Sequence, residues 1–168
     1  MLPCLPCDNP SFMNCISSLA RLQTSVDLIN EAQINYEKLL DIYLQNPEQS
    51  FSEIAAIYNT LSEINIEKQK DYTLGLYYKQ KEFEFELKYM TMKPDRTEAA
   101  IDLDNQKIGK MYEELANIYV QLCEYDFARD NFKLSIQFWE YTNSYRSNEQ
   151  ITIATKKLKD LARISKNM

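Results

Sequence analysis

An all-α fold is what this sequence predicts, and three observations predict it. Of its 168 residues only Gly75 and Gly109 are glycine, so the chain lacks the positive-φ residues that tight strand hairpins demand. Its five prolines stand at Pro3, Pro6, Pro10, Pro47 and Pro94, which leaves long stretches where no missing N–H interrupts a helix. Helix starts are legible as well: Ser50 is followed after three residues by Glu53, Asp95 by Glu98 and Ser147 by Gln150. In that spacing the first side chain accepts from a backbone N–H and the second reaches back to the cap. With 45% hydrophobic and 26% charged residues, the composition is globular and not that of a disordered chain.

Taken in order, helices are expected at 11–26, 28–45, 51–68, 71–90, 96–122, 125–142 and 148–166. Pro10 opens the first, where its lack of an N–H costs nothing. The second ends before Pro47, and Ser50 caps the third. The fourth contains "KEFEFELKYM", which alternates apolar and polar residues as a half-buried strand does. No hairpin turn accompanies it. On a helix, Tyr72, Leu76, Phe83, Leu87 and Met90 fall on one side, and Leu74, Tyr78, Phe85 and Tyr89 on the other, so a helix is the better reading. Asp95 and Ser147 are expected to cap the fifth and seventh. The last helix has one apolar stripe, Ile151, Ala154, Leu158, Leu161 and Ala162. Its lysines, Lys156, Lys157, Lys159 and Lys166, with Arg163, are expected on a solvated outer face.

Small residues index an internal repeat. Ala32 follows Ala20 by twelve residues, as Ala128 follows Ala116, and an aromatic stands four beyond each, Tyr36 and Phe132. Alanines at matched points of a helical hairpin let the two backbones approach closely. Ile54-Ala55 with Tyr58 begins a third copy, but Gly75 lies twenty residues after Ala55, so about eight extra residues must lengthen that hairpin.

This pattern resembles the tetratricopeptide repeat. "LANIYVQLCEYDFARDNFKLSI" matches through Leu115, Ala116, Tyr119, Ala128, Phe132 and Ser135, and "NEAQINYEKLLDIYLQNPE" through Ala32, Tyr36, Leu39 and Pro47. Gln23 stands where the family has an aromatic, and the step from Ala55 to Ala116 is not the family period. The resemblance implies a right-handed α-solenoid of about three hairpins over 11–168, closed by a C-terminal capping helix and preceded by a flexible tail at 1–10.

Several chemistries are disfavoured by the residues themselves. Histidine is absent, which removes the commonest general base and zinc ligand. There is no phosphate-binding loop and no nucleophile elbow. Glu113/Glu114 and Glu84/Glu86 read as solvated or salt-bridged helix faces. A net charge of −6 disfavours nucleic acid, and no apolar run reaches the ~20 residues that span a bilayer. Without a basic-then-apolar leader, and with four cysteines, a reducing cytoplasm is expected. Cys4-Leu-Pro-Cys7, with Cys15 nearby, is the sole hint of metal or redox chemistry, and incidental thiols on a tail are the default. Cys123 is expected as a small, half-buried turn residue.

The resemblance therefore implies a non-catalytic scaffold without a cofactor, binding a peptide or helix of a protein partner in a concave groove. The expected lining is Asn59, Thr60, Lys110, Glu113, Asn117, Val120 and Gln121. In family members that clamp a terminal carboxylate, lysines and asparagines occupy slots held here by Ser17, Arg21, Ser52, Ala56, Glu113 and Asn117. Only Asn117 agrees, with Lys110 a possible second contributor, and Glu113 would repel a carboxylate, so acidic tails are not the expected ligand. The alternative is a structural subunit that docks through the ends of the stack into a larger assembly. Thiol or metal chemistry at Cys4 and Cys7 is a distant third.

Overall fold

The computed structural model describes residues 9–93, 97–142 and 146–164. Among these residues the regular structure is all helical, without a strand, in the order α1 (Pro10–Ser25), α2 (Ile29–Tyr43), α3 (Phe51–Glu63), α4 (Tyr72–Met92), α5 (Glu98–Gln121), α6 (Tyr125–Glu140) and α7 (Ser147–Ile164). A short 3₁₀ turn, Pro47–Gln49, precedes α3, and a π-helical segment, Ile64–Gln69, continues it. The alternating stretch around Phe83 and Phe85 is helix, because no turn offers it a strand partner.

The caps differ from expectation in instructive ways. Asn9 caps α1, its Oδ1 accepting from the Ser11 N–H at 2.9 Å, and Pro10 is the first helical residue. Ser50 holds the N-cap position of α3 without a side-chain cap bond. Thr97 caps α5, its hydroxyl accepting from the Ala100 N–H at 3.2 Å. Asp95 lies outside the described residues. Ser147 is already the first residue of α7 and is buried, so it does not serve as the cap, and the Gln150 N–H bonds back to the Arg146 carbonyl at 3.1 Å.

Two compact units divide the chain, Met1–Tyr89 and Met90–Met168. In the first, α1 packs on α2 and α2 on α3. Ala20, Ala32 and Ala55 are fully buried at the crossings, and Tyr36, Leu39, Tyr58, Leu61, Tyr78 and Phe85 fill the space around them. Phe85 of α4 lies 5.6 Å from the Tyr58 ring of α3 and 5.9 Å from Phe51. Beside them the Ser62 hydroxyl donates to the Gly75 carbonyl at 2.8 Å. In the second unit α6 packs on both α5 and α7. Its core is Ala116, Ala128, Phe132, Ala154 and Leu161, flanked by Tyr119, Val120, Ile136 and Leu158. Ala162, expected in the apolar stripe of α7, is exposed; Leu161 alone covers that end of the stripe.

The α1–α2 and α5–α6 turns are built alike. After α1 the Asp27 N–H bonds to the Thr24 carbonyl at 3.3 Å and the Leu28 N–H to the Gln23 carbonyl at 2.8 Å; after α5 Cys123 bonds to Val120 at 3.0 Å and Glu124 to Tyr119 at 2.9 Å. Both are Schellman closures, with the left-handed residue that such a closure requires. That residue is Asp27 (φ 64°) in one and Cys123 (φ 60°) in the other, in neither case the glycine whose absence argued against tight turns. Cys123 is exposed there, not half-buried, since a left-handed C′ residue points its side chain away from the hairpin.

Candidate functional site

The longest helix carries the candidate site. On α5, Leu103, Gln106, Lys107, Lys110, Glu113, Glu114 and Asn117 line an open cleft of about 610 Å³, joined by Trp139 of α6 and by Arg146 and Gln150 at the start of α7. Spacings of three and four residues put the α5 members on one face, over roughly 20 Å of helix.

Leu103 and Trp139 form the apolar part of the lining, Leu103 64% exposed and Trp139 only 7%. The Trp139 indole can lie against α5 because position 109 is glycine: a Cβ there would stand 3.0 Å from Nε1 and 3.1 Å from Cδ1. From α6 the Ser135 hydroxyl donates to the Gly109 carbonyl at 2.7 Å, pinning the same crossing. The buried Trp139 Nε1–H has no hydrogen-bond partner among the described residues.

Charge in the cleft is mixed. Lys157 of α7 places its ammonium 2.7 Å from Glu113 Oε1, 3.0 Å from Asn117 Oδ1 and 5.5 Å from the Phe132 ring centroid. This lysine was expected on a solvated outer face. It turns inward because a long aliphatic stem lets the charge reach a neighbouring helix while the stem packs. Glu113 therefore presents a neutralised carboxylate and not a free repulsive one. Lys110 and Glu114 stand 3.5 Å apart on the same helix, an exposed pair that contributes little by itself.

Of the residues nominated from the sequence, Lys110, Glu113 and Asn117 come together in this cleft. Val120 is part of the second unit's packing, against the Ala116–Ala128 crossing. Gln121 is the exposed last residue of α5. Asn59 and Thr60 lie on α3 in the first unit, where Asn59 Oδ1 accepts from Lys79 Nζ at 2.8 Å and its Nδ2 donates to Glu63 Oε1 at 2.9 Å. The Thr60 hydroxyl bonds to the Ala56 carbonyl at 3.0 Å. Lys79 is buried, and it also pairs with Glu82 at 2.7 Å, so Asn59 serves a buried ionic cluster.

Sequence reasoning missed Leu103, Gln106 and Lys107, although a signal existed: extending the Lys110–Glu113–Asn117 spacing toward the N-terminus reaches 103, 106 and 107. Trp139, on α6, lies beyond that signal. Arg146 and Gln150 had no such signal, because their position depends on how α7 follows α6. Among the described residues no group of three or more Cys, Asp or Glu side chains is arranged to hold a metal ion. Cys4 and Cys7 lie outside the described residues. No described helix is long and apolar enough to cross a membrane. No protein-family model matches the chain, and no curated protein matches it.

Proposed function

We propose that the chain is a non-catalytic protein-recognition module that holds a peptide or helix of a partner protein along the α5 face. The observation that carries this reading is the convergence of Lys110, Glu113 and Asn117, nominated by the repeat pattern, with buried Trp139 in one open cleft. Hydrogen-bonding side chains beside an exposed apolar residue, here Leu103, and the edge of a buried aromatic are what a peptide-recognition surface uses. The like-built α1–α2 and α5–α6 hairpins support a tetratricopeptide-like origin, in which helical hairpins stack and α7 closes one end as a cap.

The bound segment is expected to be extended or helical and mixed in character. Lys107, Lys110 and Arg146 share the lining with Glu113 and Glu114, a mixture that suits a ligand carrying both signs better than a run of carboxylates. No bond is made or broken in this reading. The test is affinity capture from the native cell with the wild-type chain and with Asn117→Arg and Gln106→Arg variants that retain wild-type helicity. A partner held by wild type and lost from both variants supports the cleft. A partner held equally by all three overturns it.

A further inference from the structure

The inner side of α1 is buried against the first unit's core through Met13, Ile16 and Ala20. A second apolar stripe on the same helix faces solvent: Phe12 is 38% exposed, Leu19 48%, Leu22 64% and Val26, the residue just beyond its end, 64%. Cys15, also exposed, completes the series 12, 15, 19, 22, 26. These are the alternating three- and four-residue steps of a coiled-coil seam, repeated on a helix whose other face is already satisfied.

From this stripe we infer that α1 is a self-association surface, on which a second copy of this chain packs its own α1 antiparallel about a two-fold axis at Leu19. Charge selects a second copy. The chain carries a net −6, so two copies repel over most of their surface, yet α1 contains no carboxylate and one charged residue, Arg21. It offers a partner of either sign no ion-pair handle, and it is a face where two acidic copies meet without facing acids.

Side-chain volume selects the direction. Antiparallel packing about Leu19 sets Phe12 against Val26 and Cys15 against Leu22, a large residue against a smaller one in each layer. Parallel packing would stack Phe12 on Phe12 at one end and Val26 on Val26 at the other, and the seam would splay. The four apolar side chains expose on the order of 400 Å² per copy. A pair buries roughly 800 Å², well below the ~1,600 Å² of a standard interface. The dimer is therefore weak and concentration-dependent.

Sedimentation of the full chain from low-micromolar to near-millimolar concentration tests this. The expected result is a reversible monomer–dimer equilibrium that weakens at least tenfold in Leu22→Arg and in Leu19→Arg, with the far-ultraviolet spectrum of each variant unchanged. Direction is read in a variant with all four cysteines replaced by serine. There, Leu19→Cys should crosslink between copies with a short bismaleimide, whereas a cysteine restored at position 15 should not, because the two copies of that site lie about 12 Å apart along the seam. A chain that stays monomeric throughout overturns the proposal. So does a dimer indifferent to both arginines, or one that crosslinks through position 15 and not 19. A monomer that dimerises only after residues 1–8 are deleted overturns it too, by giving the stripe to the chain's own N-terminal segment.

Discussion

Six alanines fix the helix crossings, and each is fully buried: Ala20, Ala32, Ala55, Ala116, Ala128 and Ala154. At such a point a larger side chain has nowhere to go, and a charged one also loses its hydration. Ala116→Arg and Ala128→Arg are each expected to destabilise the fold by on the order of 3 kcal/mol or more, read as a shift in a urea unfolding midpoint. Wild-type midpoints in both would mean that the α5–α6 contact is absent. The turn residues act in the opposite sense. Asp27, Lys70 and Cys123 sit in the left-handed region without being glycine, which costs about 1–2 kcal/mol at a residue with a Cβ. Cys123→Gly, at an exposed position, is expected to stabilise by about 1 kcal/mol and to raise the melting temperature. A lowered one would show that the Cys123 side chain has a structural role.

Tyr78 gives a third residue-scale prediction. Burial, and the nearby Glu37 carboxylate to which its hydroxyl donates at 3.2 Å, push its pKa up from 10.0 to about 12. The folded state thus holds the proton more tightly than the unfolded one. This contribution to stability is complete below pH 10 and falls away as the pH rises from there through about 12. Denaturant midpoints should drop across that window, and less steeply in Tyr78→Phe. Equal slopes in the two proteins would show that Tyr78 is not the group responsible.

At the scale of elements, α3 shows how the fold absorbs an insertion. The left-handed residue follows the buried alanine by seven positions in α1 and α5 (Ala20 to Asp27, Ala116 to Cys123) but by fifteen in α3 (Ala55 to Lys70). The eight extra residues expected from the displaced Gly75 are therefore carried by this helix. Two α-turns account for about seven of them, and the wider spacing of the π segment Ile64–Gln69 takes up the remaining one. The two glycines of the chain share a function that composition alone did not disclose. Each lies inside a helix at a crossing, and each accepts a buried serine hydroxyl through its carbonyl, Gly75 from Ser62 and Gly109 from Ser135. At Gly109 a Cβ would press on the rigid Trp139 ring. Gly109→Ala is expected to destabilise by about 1–3 kcal/mol despite alanine's better helix propensity, and to displace the indole. Unchanged stability with an unchanged tryptophan emission spectrum would contradict that packing.

For the whole molecule, much of the helix layout was legible. Both ends of each of the seven helices, as described, fall within two residues of expectation once the π segment is counted with α3, because capping residues, prolines and apolar periodicity are local signals. The α1–α2 and α5–α6 hairpins were legible through their alanines for the same reason. The cleft was legible only along α5. Lys157 could not be read as an inward-facing partner of Glu113 and Asn117, nor Arg146 and Gln150 as lining, since those placements depend on the packing of α7 against α6. The tie of Asn59 to Lys79, twenty residues away, was not legible either, because only the fold brings the two together.

The central claim is that a partner protein binds along α5 beside Trp139. This is the sole tryptophan of the chain, so its emission reports on the cleft without a label. Titrating the captured partner, or the peptide derived from it, into the wild-type chain should shift Trp139 emission along the same saturation curve as the anisotropy of the labelled partner, and Asn117→Arg should abolish both signals together. Saturable anisotropy with no change in Trp139 emission, and with undiminished affinity in Asn117→Arg, would contradict it.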